Sequence, residues 1–207
     1  MIFKRDIIHI RVLVVMLSFS HFSGNSQSAT GNLKILPEIR VSPEEWEIYQ
    51  QINEYRAEKG LAAVPLSGSL TYVAQTHVWD LAENSAAAGR CNLHSWSSKG
   101  NWSPCCYTGD HKRAECMWNK AKELTNYPGV AYEIAYWTNE PLDPKAFAAK
   151  ALLKWKESME HNAVIINSRE WRQLDWKAMG VGYFKGYMVV WFGAEPDEDT
   201  EIRTSEK

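Results

Sequence analysis

"AMGVGYFKGYMVVWFG", residues 178–193, reads as two apolar strands on either side of Lys185-Gly186, a two-residue hairpin turn. Upstream, "AYEIAYW" (131–137) alternates as a strand does. Tyr132, Ile134 and Tyr136 face one way, and Ala131, Glu133, Ala135 and Trp137 face the other. Glu133 therefore points where its nearest neighbours on the same face, Ala131 and Ala135, are small. Helical patterns fill the rest. "VSPEEWEIYQQINEYRAEKG" (41–60) opens with Ser42 as N-cap, Pro43 at the first helical position and Glu45 closing a capping box, and it stops at Gly60. Its apolar stripe is Trp46, Tyr49, Ile52 and Tyr55. A second helix, capped by Ser69, places Leu70, Val73, Ala74, His77 and Leu81 on one face, with His77 expected as a hydrogen-bonded core residue. A third runs from Asp110 to about Leu124. A fourth starts at Asp143-Pro144 with the stripe Phe147, Ala151, Leu152, Trp155 and Met159. Helices in succession, then strand, helix and hairpin, do not make βαβ alternation. The order predicts an α+β domain with an antiparallel sheet.

The 207 residues, 45% of them hydrophobic, suffice for one good core and one domain. Residues 1–29 read as a secretory signal peptide, with basic Lys4 and Arg5, an apolar run from about Val12 to Phe19, and a cut near Ala29. An uncleaved anchor is the rival reading, but that run falls short of the roughly 20 residues of a membrane span. The expectation is an exported, soluble protein with no transmembrane segment in its mature form. Cleavage would change the formal charge from −2 to −4. With no Lys/Arg cluster and no nucleic-acid module, nucleic acid is excluded as a partner class. Residues 30–42 read as a linker, 43–194 as the domain, and "EPDEDTEIRTSEK" (195–207) as an acidic, flexible, solvated tail.

Cys91, Cys105, Cys106 and Cys116 lie within 26 residues of one another. In an exported chain that clustering predicts two disulfides stapling one long loop. A bond between the neighbours Cys105 and Cys106 would strain the intervening peptide. Two connectivities remain, each joining Cys91 to one member of the doublet and Cys116 to the other. Zinc is the rival use, with His94 and His111 nearby, although no C-x-x-C unit is present.

"WKESMEH" (155–161) sets Trp155, Ser158 and His161 three residues apart, with Glu157 one helical turn before the histidine. Taken in order, "INEYRAEKGLAAVPLSGSLTYVAQTHVWDLA" (52–82), "LHSW" (93–96), "GVAYEIAYW" (129–137), "WKESMEH" and "MGVGYF" (179–184) resemble the CAP superfamily of cysteine-rich secretory, antigen 5 and pathogenesis-related proteins, in its bacterial SCP-like branch. The likeness covers roughly residues 44–193. It implies an α-β-α sandwich whose cleft carries two histidines and two acids and, in some members, a divalent metal. Matched position by position, the histidines are His94 and His161 and the first acid is Glu133. The fourth position is Ser158, where animal and plant relatives hold an acid, and Glu157 stands one residue away. Ile134 replaces the asparagine that the family sets after the strand glutamate.

Two function classes follow. The first is a binding or interaction module whose cleft takes a lipid, a glycan fragment or a partner protein's loop. Ten tryptophans motivate it, with Trp96, Trp102 and Trp118 in or beside the cysteine-rich insertion. The second is a metal-dependent hydrolase or peptidase acting through His94, Glu133 and His161, since two imidazoles and a carboxylate are a sufficient donor set for zinc with an open position. No G-x-S-x-G or H-E-x-x-H motif supports an enzyme, and Ser158 lacks an evident orienting acid as a nucleophile. The binding module is the favoured class.

Overall fold

The computed structural model describes residues 33–198 and 202–204; the expected signal peptide lies outside them. Strand β1 (Ile39–Val41) leads into α1 (Pro43–Glu58) and α2 (Gly68–Asn84). A long loop and two short helices follow, α3 (Ala114–Trp118) and α4 (Lys120–Leu124). Then come β2 (Ala131–Trp137), α5 (Pro144–Glu157), α6 (Met159–Ile165), a 3-10 turn at Arg169–Trp171, β3 (Ala178–Phe184), β4 (Tyr187–Gly193) and β5 (Ile202–Thr204). The main sheet is antiparallel in the order β2-β4-β3. Lys185 and Gly186 turn the hairpin with positive φ, 45° and 80°, as a tight two-residue turn requires.

Both sheet faces are covered, and the period of two decides which residues go where. Ile134, Met188, Val190, Phe192, Met179 and Val181 face α1, α5 and α6 in one core. Ala131, Ala135, Val189 and Trp191 face α2 and the α3-α4 region in the other. The result is the expected α-β-α sandwich, and the alternation of β2 falls as its sequence indicates.

Two glycines set the spacing of the second layer. A Cβ on Gly180 would lie 2.1 Å from the Leu70 backbone, and one on Gly182 would lie 2.4 Å from that of Ala74. The backbone of α2 therefore rests directly on β3. At the other end of β3, the buried carboxylate of Glu45 accepts from Ser42 N, Tyr183 N and Gln75 Nε2, joining α1, α2 and the sheet. Arg56 does the same between α1 and the end of α6, donating to the Ile165 carbonyl and Asn167 Oδ1.

Several sequence expectations are corrected. The buried face of α1 runs through Glu45, Ile48, Ile52, Tyr55 and Arg56, which leaves Trp46 36% exposed. Ser67, not Ser69, caps α2 through the Leu70 amide. The third helix begins at Ala114 and breaks at Asn119, because Asp110 holds a turn with Thr108 and Lys112 and His111 sits at φ 56°. Met159 is 60% exposed, since the chain bends at Ser158 and starts α6. The supposed linker contains β1, whose Ile39 and Val41 are buried and which pairs in parallel with β5. Nor is the C-terminal stretch wholly a solvated tail. Asp197 accepts from Ser69 N at 2.9 Å, Ser69 Oγ at 3.0 Å and Ser67 Oγ, an anion seated at the start of α2.

The contact between α2 and β3 generates a test. Gly180→Ala and Gly182→Ala should each cost about 1–3 kcal/mol in urea unfolding through forced separation of the layers. Gly109→Ala, with no atom within 4 Å of its new methyl, should leave stability nearly unchanged.

Candidate functional site

Glu133 enters the α2 face from β2, and its side chain is fully buried. Two imidazoles receive it. His77, from the middle of α2, meets Oε2 through Nδ1 at 2.5 Å, and His94, from the loop after α2, meets Oε1 through Nδ1 at 2.7 Å. Burial alone would raise the Glu133 carboxyl, but the two histidines outweigh it and hold it below the usual carboxylate range. Nε2 of His77 lies 2.9 Å from the Ser95 carbonyl, which can only accept. An ionised Glu133 can also only accept, so this pattern places a proton on both nitrogens of His77. The charges of His77 and Glu133 then cancel inside the core. His77 stacks on Trp96 at 4.4 Å and 6°, an arrangement that favours a cationic ring.

His94 uses Nδ1 on Glu133, which leaves Nε2 as its unengaged nitrogen. Its loop is fastened at several points. Asp80 of α2 accepts from Ser97 N and Ser97 Oγ, Trp96 and Cys105 exchange backbone hydrogen bonds, and Asn92 Oδ1 accepts from His94 N. Disulfides Cys91–Cys106 and Cys105–Cys116 close the loop from both sides, using one of the two connectivities left open by the sequence. Among the described residues no cysteine is free, so the zinc reading of the cysteines is set aside.

His161 comes from the first turn of α6, facing His94 with ring centroids 6.3 Å apart. Burial, and secondarily the charge of His94, lower it from an ordinary 6.5 to about 4, so it is neutral at neutral pH. His94, Glu133 and His161, 39 and 28 residues apart in sequence, thus line one cleft of about 470 Å³. Its remaining wall is mostly apolar: Met117, Trp118, Tyr132, Val164 and Trp171. Ala114, Tyr107, His111, Glu160 and Glu170 complete the lining, and the Tyr107 hydroxyl bonds His111 Nδ1 at 2.9 Å.

Ser158 and Glu157 do not take the fourth place. The chain needs Ser158 as N-cap of α6, where its hydroxyl faces the His161 amide, and Glu157 points outward to Lys154. The acid that reaches the cleft from this segment is Glu160, next to His161 in sequence. Glu133 differs from expectation as well. Both its oxygens are engaged by imidazoles, so it orients His94 and does not offer a free donor. Among the described residues no group of three or more His, Cys, Asp or Glu could hold a metal ion. Sequence reasoning missed His77 as Glu133's partner, although its place on the buried stripe of α2 was legible. Of the tryptophans singled out, Trp96 is buried and Trp102 donates to the Ser97 carbonyl, while Trp118 reaches the cleft.

Residues 49–180 match the family model for the cysteine-rich secretory protein (CAP) family. No curated protein matches. Among solved structures, an outer surface protein of Borrelia burgdorferi is similar with a TM-score of 0.50 at 16% identity, over 78% of this chain and 99% of that one. An extracellular SCP-domain protein of Bacillus anthracis gives 0.50 at 16% identity, over 73% of this chain and 40% of that one. A cysteine-rich secretory protein of Staphylococcus aureus gives 0.44 at 18%, over 73% and 38%. At 16% identity the first two likenesses concern the fold alone.

His161 yields a pH prediction. Its folded value is depressed, so between about 6.5 and about 4 the unfolded chain binds more protons, and stability falls as pH drops through that window. Above pH 6.5 both states hold it neutral. Urea unfolding in chelator at pH 7, 5.5 and 4.5 should show a smaller acid loss for His161→Gln than for the parent chain. Equal losses would contradict the assignment.

Proposed function

The chain belongs to the cysteine-rich secretory protein (CAP) family, and from that premise we propose that it is an exported binding module. Its cleft holds a ligand with an apolar body and a hydrogen-bonding head. The observation that carries this reading is the division of the lining. Met117, Trp118, Tyr132, Val164 and Trp171 form an apolar wall, while His94 and His161 face each other in the same lining and supply polar contacts. Concave, largely apolar sites with a few convergent polar groups are the usual form of a ligand pocket. Neutral His161 offers one donor and one acceptor, which suits an uncharged head. Export is supported by the leader-like start and by two disulfides, which persist in oxidising compartments. Among the described residues no helix is long and apolar enough to cross a membrane.

A second reading has its own observation. The bond from His94 Nδ1 to Glu133 fixes the ring and frees Nε2, the arrangement by which a carboxylate prepares a histidine for a metal. With neutral His161 opposite, the two imidazoles would hold a divalent ion such as zinc, with water or ligand completing the shell. Such an ion supplies Lewis acidity, the chemistry that a hydrolase or peptidase would need. Glu133 then positions His94, and His77 positions Glu133.

Tryptophan emission tests the first reading. Titration with alkyl glucosides and lysolipids below their micelle thresholds should shift the emission of the parent chain, and the response should be largely lost in the Trp118→Phe, Trp171→Phe double variant. A response unchanged in that variant would sink it, as would silence toward these amphiphiles and toward short apolar peptides alike. Calorimetry with zinc tests the second: binding should vanish in His94→Ala and in His161→Ala and weaken about 10–100-fold in Glu133→Gln.

A further inference from the structure

The cleft is lined by both Tyr132 and Glu133, which are consecutive in β2 and point their side chains to opposite faces of the sheet. A cavity that touches both must cross the edge of the strand. β2 is an outer strand of its sheet.

The pairing register says which backbone groups lie on that edge. On the opposite outer strand, β3, the amides of Met179, Val181 and Tyr183 turn outward, to Pro65 O, Thr71 Oγ1 and Glu45 Oε1. Gly182 therefore faces inward to Val189, which sends Val190 toward β2 and its partner Ile134. Ala131, Glu133 and Ala135 must then point their N–H and C=O groups away from the sheet. Independent observations agree. The Ala135 carbonyl accepts from the indole of Trp155 at 3.0 Å on that side. The Glu133 side chain is fully buried while the residue is 6% exposed, so what Glu133 shows to solvent is backbone. Ala131 is covered completely. Among the described residues no loop or side chain satisfies the outward N–H and C=O of Glu133.

We infer that the cleft's ligand is an extended peptide segment, one residue of which exchanges two backbone hydrogen bonds with Glu133 while a neighbouring apolar side chain enters the wall of Trp118, Tyr132 and Trp171. The inference rests on the cleft being a binding site and names the class of its occupant. An outward donor and acceptor on one strand residue are complementary to the same pair on another extended chain, which can bring a side chain to the adjoining apolar wall at the same time. Within the cleft the opening is one residue long, because Trp155 takes the Ala135 carbonyl and packing covers Ala131; Trp137, the next outward residue, is not part of the lining. Side-chain pockets, not a long ladder, would therefore set specificity.

The probes are capped peptides of the form acetyl-Ala-Phe-Ala-amide, their Leu and Trp counterparts, and a version of each N-methylated at both alanines, the residues on either side of the apolar one that can pair with Glu133. Two readouts are followed on the intact mature chain: hydrogen exchange of the β2 amides and tryptophan emission. In the free protein the Glu133 amide should exchange at least ten-fold faster than those of Tyr132 and Ile134. Peptide should slow it and shift its resonance, and N-methylation should weaken binding at least ten-fold. Glu133 protection equal to that of Ile134 in the free protein would overturn the inference. So would peptides that bind equally well when N-methylated, or alkyl glucosides that bind where every peptide fails; in both cases the cleft remains a binding site. Failure of peptides and amphiphiles alike would remove the binding reading itself.

Discussion

The carboxylate of Glu133, buried between His77 and His94, is the constraint on which the arrangement depends. A buried charge is costly unless it is paired and hydrogen-bonded, so the chain must bring two donors to one point inside the core. One comes from a helix and the other from a loop, and neither can move without leaving the carboxylate unsatisfied. The α2 layer, the edge strand and the cysteine-rich loop are thereby locked together at one residue. The glycines of β3 let α2 approach closely enough for His77 to reach across, and Asp80 with the two disulfides brings His94 in from the other side. The polar contact that His94 gives the cleft is then a by-product of core satisfaction, since its ring is oriented by a carboxylate that must be neutralised.

Much of this was legible in the residues. The capping box of α1, the hairpin turn at Lys185-Gly186 and the alternation of β2 follow from local chemistry, and local chemistry survived in the fold. What could not be read were choices settled between distant segments. Trp46 looked like core because it shares a period with Ile52, yet the neighbours of α1 contact the face one residue away, through Ile48 and Arg56. Asp197 looked like solvated tail because composition says nothing of Ser67 and Ser69, some 130 residues earlier. The stripe of α2 marks His77 as a buried, bonded histidine, but its partner lies on a strand 56 residues on.

The segment around Ser158 shows how one letter can mislead. Position alone placed Ser158 where relatives hold an acid, and Glu157 within reach of His161. The backbone gives that serine a different duty, ending one helix and capping the next, which turns the following residues by a new amount. Glu160 inherits the approach to the cleft. A family correspondence transfers the direction of a side chain only as far as the helix that carries it remains unbroken.

The unequal edges of the sheet bear on self-association. An outer strand with free backbone groups is a template for pairing with other copies of the same chain, and proteins commonly blunt such edges with charge or cover. Here the outward amides of β3 are taken by Pro65, Thr71 and Glu45, while on β2 packing covers Ala131 and the Trp155 indole takes the Ala135 carbonyl. The gap left at Glu133 is separated from the next outward residue, Trp137, by the Ala135 carbonyl that Trp155 occupies, so no unbroken run of free groups along β2 can register a second strand of this chain. The fold thus keeps an edge that can recognise a single residue of foreign chain while denying the continuous ladder from which an aggregate would grow.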